Sequence, residues 1–224
     1  MRNEAVTIPV SETEKVSGIL SIPDSGAPET GVIIAHGAGN DMNQRMLQYL
    51  AEGLADAGYP GLRFNFLYSD KGKKAPDTPA LLTLAWEGAF RFLAAHPDFR
   101  IKHVITAGKS MGGRIASQMI AEGKLAAERL IFLGYPLHPP GKKDRIRDAH
   151  LYGIQIPMLF FAGTRDPLCD LDLLKGVLSR LQAPWKLEII EGGDHSFNVP
   201  KSFATGQEAV FRKILDETLG WLER

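Results

Sequence analysis

Apolar and polar side chains alternate over residues 4–10 and 16–22, on either side of the polar Ser11-Glu12-Thr13-Glu14-Lys15. This period-two pattern predicts an antiparallel hairpin at a sheet edge. Beyond the loop Pro23–Thr30 the alternation gives way to short continuous apolar runs. Gly31–His36 has the pattern of a strand buried on both faces. Tyr59–Phe66, Ile101–Ala107, Arg129–Gly134, Ile156–Ala162 and Trp185–Ile190 also read as strands. Asp41–Gly58 carries Met46, Leu47, Leu50, Leu54 and Ala57 at helical spacing, with Gly58 as its stop. Further helices are predicted over Pro79–Ala95, behind Ser110 with Ile115–Ile120 as the amphipathic part, over Asp170–Leu181 and over Ala204–Leu222. Strands alternating with helices imply an α/β fold, with a mostly parallel central sheet and helices on both faces. No repeat or long linker divides the chain, so one domain over 1–224 is expected. The segments after strands 59–66 and 129–134 are too short for a large cap domain.

Composition narrows the class. The 224 residues are 44% hydrophobic and 23% charged, as in an ordinary globular protein. At that length folding buries roughly 70% of the unfolded surface, so no disulfide or metal staple is required. Lys+Arg and Asp+Glu both number 26, which gives no bulk attraction to nucleic acid or an anionic membrane. The single thiol, Cys169, cannot form an internal disulfide and suits a reducing, cytoplasmic compartment. Residues 1–10 lack the apolar core of a secretory signal, and no apolar run approaches the ~20 residues of a membrane span.

The chemistry concentrates where the strand Ile101–Ala107 turns into a helix. Gly108, Ser110 and Gly112 there fill the pattern G-x-S-x-G. A serine between a strand end and a helix start sits on strained backbone that lifts its Oγ clear of the sheet. Glycines two residues to either side are needed because a Cβ would strike the neighbouring strand or helix. The free N–H groups at the start of the helix face any developing oxyanion. A serine hydroxyl also needs a base and a group to orient that base. Asp166 follows the strand 156–162 in Gly163-Thr164-Arg165-Asp166-Pro167, and His195 follows the strand 185–190 in Gly192-Gly193-Asp194-His195-Ser196. Parallel sheets bind ligands at such strand ends. The chain order Ser, Asp, His is that of the α/β-hydrolase arrangement.

Over nearly its whole length the chain resembles a compact α/β-hydrolase. The resemblance rests on the elbow, the G-T-R-D-P and G-G-D-H-S loops and His36-Gly37-Ala38-Gly39. More narrowly, Arg63-Phe64-Asn65-Phe66, the Lys71–Asp77 loop and Gly134–Gly141 resemble the testis-expressed-type hydrolase-like family, which includes a subunit of a chromatin-modifying complex. The chain is also similar to dienelactone hydrolases, which use cysteine where Ser110 stands here. The resemblance implies a serine hydrolase of the carboxylesterase or thioesterase kind, acting on a small-molecule acyl substrate without cofactor or metal. The alternative it implies is a non-catalytic, hydrolase-like interaction module. Ser110 would attack the carbonyl, His195 would act as base and then acid, and Asp166 would orient the imidazole. The N–H groups of Met111 and Ala38 would form the oxyanion hole. Asp170, Asp172 and Asp194 compete for the acid's role, although Asp166 lies closest to a strand end and Asp170 suits a helix cap. His36, Gly37 and His138 are candidates for the pocket, with a backbone-bonding role as the other reading of His36. His96, His103 and His150 read as surface residues, and Cys169 as a small buried side chain. The cluster Lys71-Gly72-Lys73-Lys74, with Arg63, is either a solvated loop or an anion-attracting rim. Gly37-Ala38-Gly39 fails the G-x-G-x-x-G spacing of a dinucleotide site.

Overall fold

In the computed structural model, which describes residues 1–200, 203 and 206–223, the alternating segments pair into a hairpin. Strand β1 (Arg2–Pro9) runs antiparallel to β2 (Lys15–Ile22), with Ile8 opposite Val16. The apolar runs become β3 (Thr30–Ala35), β4 (Gly61–Phe64), β5 (His103–Lys109), β6 (Arg129–Leu133), β7 (Met158–Gly163) and β8 (Trp185–Ile190). All eight form one sheet in the order β1-β2-β4-β3-β5-β6-β7-β8, parallel from β4 to β8. Strand β2 meets β4 antiparallel, so the hairpin caps one edge.

The sheet's two-residue period sends successive side chains to opposite faces. Val32, Ile34, Ile131 and Phe161 join one core with α1 (Arg45–Asp56) and α6 (Gln207–Leu222). Ile33, Ala35, Phe132 and Phe160 join the other with α3 (Pro79–Ala94), α4 (Met111–Ala121) and α5 (Leu171–Leu178). Fully burying one such side chain is worth about 1.5–3 kcal/mol, so both faces contribute heavily to stability. Residues 134–157, between β6 and β7, hold only a short 3₁₀ turn at Ala149–Gly153, and there is no large cap.

Several boundaries differ from the sequence reading. Helix α1 starts at Arg45 rather than Asp41, because Asp41 folds back to accept the Asn43 N–H and Asn65 Oδ1 captures the Met42 N–H. Ala57 lies past the helix and is exposed, while Ala51 and Ala55 complete the buried stripe. Leu67–Asp70, expected as loop, forms the one-turn helix α2, with Leu67 and Tyr68 buried. The closing helix begins at Gln207, and residues 204–205 of the expected helix lie outside the described residues. Among the described residues no helix is long and apolar enough to cross a membrane.

Candidate active site

Steric exclusion shapes the turn between β5 and α4. A Cβ on Gly108 would lie 2.1 Å from the Gly113 nitrogen, and one on Gly112 would lie 2.7 Å from the His36 carbonyl oxygen. Helix α4 can therefore start tight against β5 on one side and β3 on the other only with glycine at both places. Between them Ser110 is held at φ 50° and ψ −112°, a left-handed conformation that L-residues rarely adopt. The strain is held in place by neighbours. The Ser110 N–H donates to the Leu133 carbonyl at 3.2 Å, and the Trp86 indole N–H from α3 donates to the Gly112 carbonyl at 3.2 Å.

The loops after β7 and β8 converge on this serine. His195 Nε2 lies 2.8 Å from Ser110 Oγ, and its Nδ1 lies 2.7 Å from Asp166 Oδ2. A carboxylate only accepts, so Nδ1 carries the proton and Nε2 is left to accept from the hydroxyl. The Asp166 side chain is fully buried and the imidazole 18% exposed. Asp166 Oδ1 accepts the Leu168 N–H at 2.8 Å, which fixes the plane of the carboxylate.

The other aspartates are engaged elsewhere. Asp170 caps α5 by accepting the N–H groups of Asp172 and Leu173, and it pairs with Lys143, which holds its carboxyl below the ordinary range. Asp172 faces solvent beside Lys175. Asp194 Oδ1 accepts from the Ser196 and Asn198 N–H groups and so builds the loop that presents His195. Burial opposes the Asp194 charge, yet the bonds from Asn198 and Ser196 prevail and keep its carboxyl below the usual value.

Ala38 and Met111 line a cavity of about 420 Å³ together with Ser110. Met111 opens α4, so its N–H has no partner within the helix and is available to a negative oxygen. The far wall comes from Pro136, Pro139 and Pro140 of the post-β6 loop and from Pro76 and Asp77 before α3. Arg114, one turn beyond Ser110, and Arg147 add two guanidinium groups, and Arg114 bonds to Gln118 rather than to a carboxylate. Arg114 is beside the serine through α4 itself, whereas Arg147 comes from the segment after β6, and only the fold brings it to the cavity.

The remaining candidates stand apart from this cavity. His36 is wholly buried; its Nδ1–H donates to the Gly37 carbonyl and its Nε2 accepts the Phe66 N–H, so it ties β3 to β4 instead of lining the pocket. Burial lowers its affinity for a proton, partly offset by the bond to Gly37. Gly37 is buried, and a Cβ there would sit 3.4 Å from that of Ser110, so it backs the serine from below. His138, 2% exposed, spends Nδ1–H on the Pro139 carbonyl and Nε2 on the Asp170 N–H. It fastens the proline-rich loop to α5 and borders a separate cleft behind Asp166. His150 is half-buried, not a surface residue, and bonds to Ser117 Oγ at 2.8 Å. Arg63 lies in the core at 1% exposure, donating to the Met42 carbonyl, and contributes nothing to a rim. Lys71 pairs with Glu14 on the exposed loop. Cys169 is 2% exposed, and burial pushes its thiol up to about 12, which makes it an inert packing group.

Lys109 is the residue whose environment the sequence concealed. It precedes the nucleophile-like serine yet is 2% exposed, its ammonium about 6.0 Å from the Phe197 ring centroid. Burial lowers it to about 8 against the opposing pull of Asp166 and Asp194. Among the described residues no three His, Cys, Asp or Glu side chains are grouped so as to hold a metal ion.

Known proteins share this architecture. A dienelactone hydrolase from Anabaena variabilis superposes with a TM-score of 0.75 at 25% identity, over 98% of this chain and 97% of its own. A lidless α/β serine hydrolase from Xanthomonas campestris superposes with a TM-score of 0.73 at 16% identity, over 99% and 95%, and shows the fold alone. Among curated proteins, two from Mycobacterium tuberculosis, named as candidate phosphoribosyl transferases, are 26% identical over 89% of this chain. The match covers 43% of their length, so the chain spans about half of these relatives. Residues 28–223 match the family described as "Alpha/beta hydrolase domain", and with sheet order and elbow in agreement, the chain belongs to that family.

Proposed function

We propose that this protein is a serine hydrolase that cleaves an ester or thioester through an acyl-enzyme on Ser110. The observation that carries the reading is the continuous relay from Ser110 Oγ to His195 Nε2 at 2.8 Å and from Nδ1 to Asp166 at 2.7 Å. Oγ attacks the carbonyl carbon while Nε2 takes its proton. The oxygen that becomes negative is met by the N–H groups of Met111 and Ala38, each such donor being worth about 2.7–4 kcal/mol in comparable sites. His195 then returns the proton to the departing alcohol or thiol. Water, activated by the same imidazole, releases the acid and restores the serine.

The phosphoribosyl name belongs to proteins about twice as long, of which the match covers 43%. A fluorophosphonate probe tests the proposal, because it labels only an activated hydroxyl. Labelling should map to Ser110, and Ser110→Ala should lose both the label and about 10⁶-fold in turnover of p-nitrophenyl acetate. Folded protein that takes no label would leave the scaffold as a binding module.

A further inference from the structure

A second hollow opens on the same side of the molecule. The faces of α3 and α4 diverge into a groove of about 620 Å³ with Ala80 and Leu84 on one wall and Ile115 and Met119 on the other. It adjoins the cavity at Ser110, since Pro79, Arg114 and Ile115 border both. The wall positions follow helical spacing, with Ile115 and Met119 four apart on α4 and Ala80 and Leu84 four apart on α3.

The charges along the groove are already engaged. Glu87 reaches Arg91 at 3.9 Å, Glu122 reaches Lys124 at 2.6 Å, and Arg114 leans on Gln118 at 3.3 Å along its own helix. The walls therefore offer apolar surface, and both carboxylates at the groove, Glu87 and Glu122, have a basic neighbour. From Met111, beside Ser110, to Met119 on the groove wall, α4 rises about 12 Å, a length covered by an extended alkyl chain of roughly ten carbons.

Resting on the reading of Ser110 as the nucleophile, we infer that the α3–α4 groove is the acyl-chain site and that the substrates carry an unbranched acyl chain of medium length. The carbonyl sits at Ser110, the first carbons fill the 420 Å³ cavity, and the remainder passes Ile115 to lie against Leu84 and Met119. Burying a methylene is worth about 0.8 kcal/mol, at most about fourfold in affinity, and an open groove that covers the chain in part should deliver about twofold.

The test is a chain-length series of p-nitrophenyl esters from acetate to dodecanoate, kept below micellar concentration. Wild type should gain about twofold in kcat/KM per methylene beyond butanoate and level off near decanoate. Thr83→Trp and, separately, Ala80→Trp place an indole in the groove, and each should lower the decanoate-to-butanoate ratio at least tenfold. A ratio near one in wild type, or one unmoved by both variants, overturns the inference while acetate turnover leaves the hydrolase reading intact. If no ester is turned over, the hydrolase reading fails, and the groove is read by calorimetry on Ser110→Ala. Decanamide binding at least tenfold tighter than butanamide, and weakened by Thr83→Trp, supports it; equal binding refutes it.

Discussion

Replacing Asp166 with asparagine tests the relay most directly, because its neighbours dictate how the new side chain must lie. Asp166 Oδ1 accepts the Leu168 N–H at 2.8 Å and Oδ2 faces His195 Nδ1 at 2.7 Å. An asparagine of the same shape has one acceptor and one donor end. If its oxygen turned toward His195, its NH₂ would confront the Leu168 N–H and leave a part-buried donor unpaired, at a cost of about 1–3 kcal/mol. The oxygen therefore stays with Leu168 and the NH₂ points at Nδ1. The imidazole must then shift its proton to Nε2, which donates to Ser110 Oγ instead of accepting from it. The proposed base is then lost although every atom remains in place. In a comparable relay elsewhere the same exchange lowers kcat by about 10⁴, equivalent to about 5 kcal/mol of barrier. We expect a fall of that order in p-nitrophenyl ester turnover by Asp166→Asn, with a thermal midpoint close to wild type. A folded variant that retains more than a tenth of wild-type turnover would show that Asp166 does not set the tautomer of His195.

Two further outcomes follow from packing and burial. Gly108→Ala forces a Cβ to within 2.1 Å of the Gly113 nitrogen, a backbone atom that cannot swing aside; it should lower stability by about 3 kcal/mol or more in urea unfolding, and a change below 1 kcal/mol would refute the steric account. Lys109→Met should raise the thermal midpoint at pH 7. The folded ammonium titrates near 8 against an ordinary 10.5, so below 8 the folded state bears the cost of burying the charge, up to about 3 kcal/mol. Between 8 and 10.5 only the unfolded chain remains protonated and that cost fades. The gap between variant and wild type should close as pH rises toward 10, and a gap independent of pH would refute the assignment.

The sequence by itself determined the architecture, because local periodicity encodes it. Apolar runs such as Val32–Ala35 and Phe160–Ala162 are buried at every residue, as strands covered on both faces must be. The elbow was equally legible: Gly108 and Gly112 are local requirements, and the clashes a Cβ would meet arise from the adjoining strand and helix. The order of Ser110, Asp166 and His195 followed from which strand each one ends.

Only the tertiary structure decided what each polar side chain does, since that depends on partners remote in the chain. Four aspartates stood near two strand ends; Leu168 and His195 engage one, the N-terminus of α5 engages another, and the His195 loop itself consumes a third. The backbone-bonding reading of His36 agrees with the structure, whereas His138 looked available for the pocket until backbone groups met both nitrogens of its ring. Arg63, read with the Lys71–Lys74 loop as a rim or solvated charge, is carried into the interior by β4, and β5 buries the charge of Lys109 in the same way. Periodicity records which way a residue faces along its own element, whereas hydrogen-bond partners and desolvation depend on the elements packed against it.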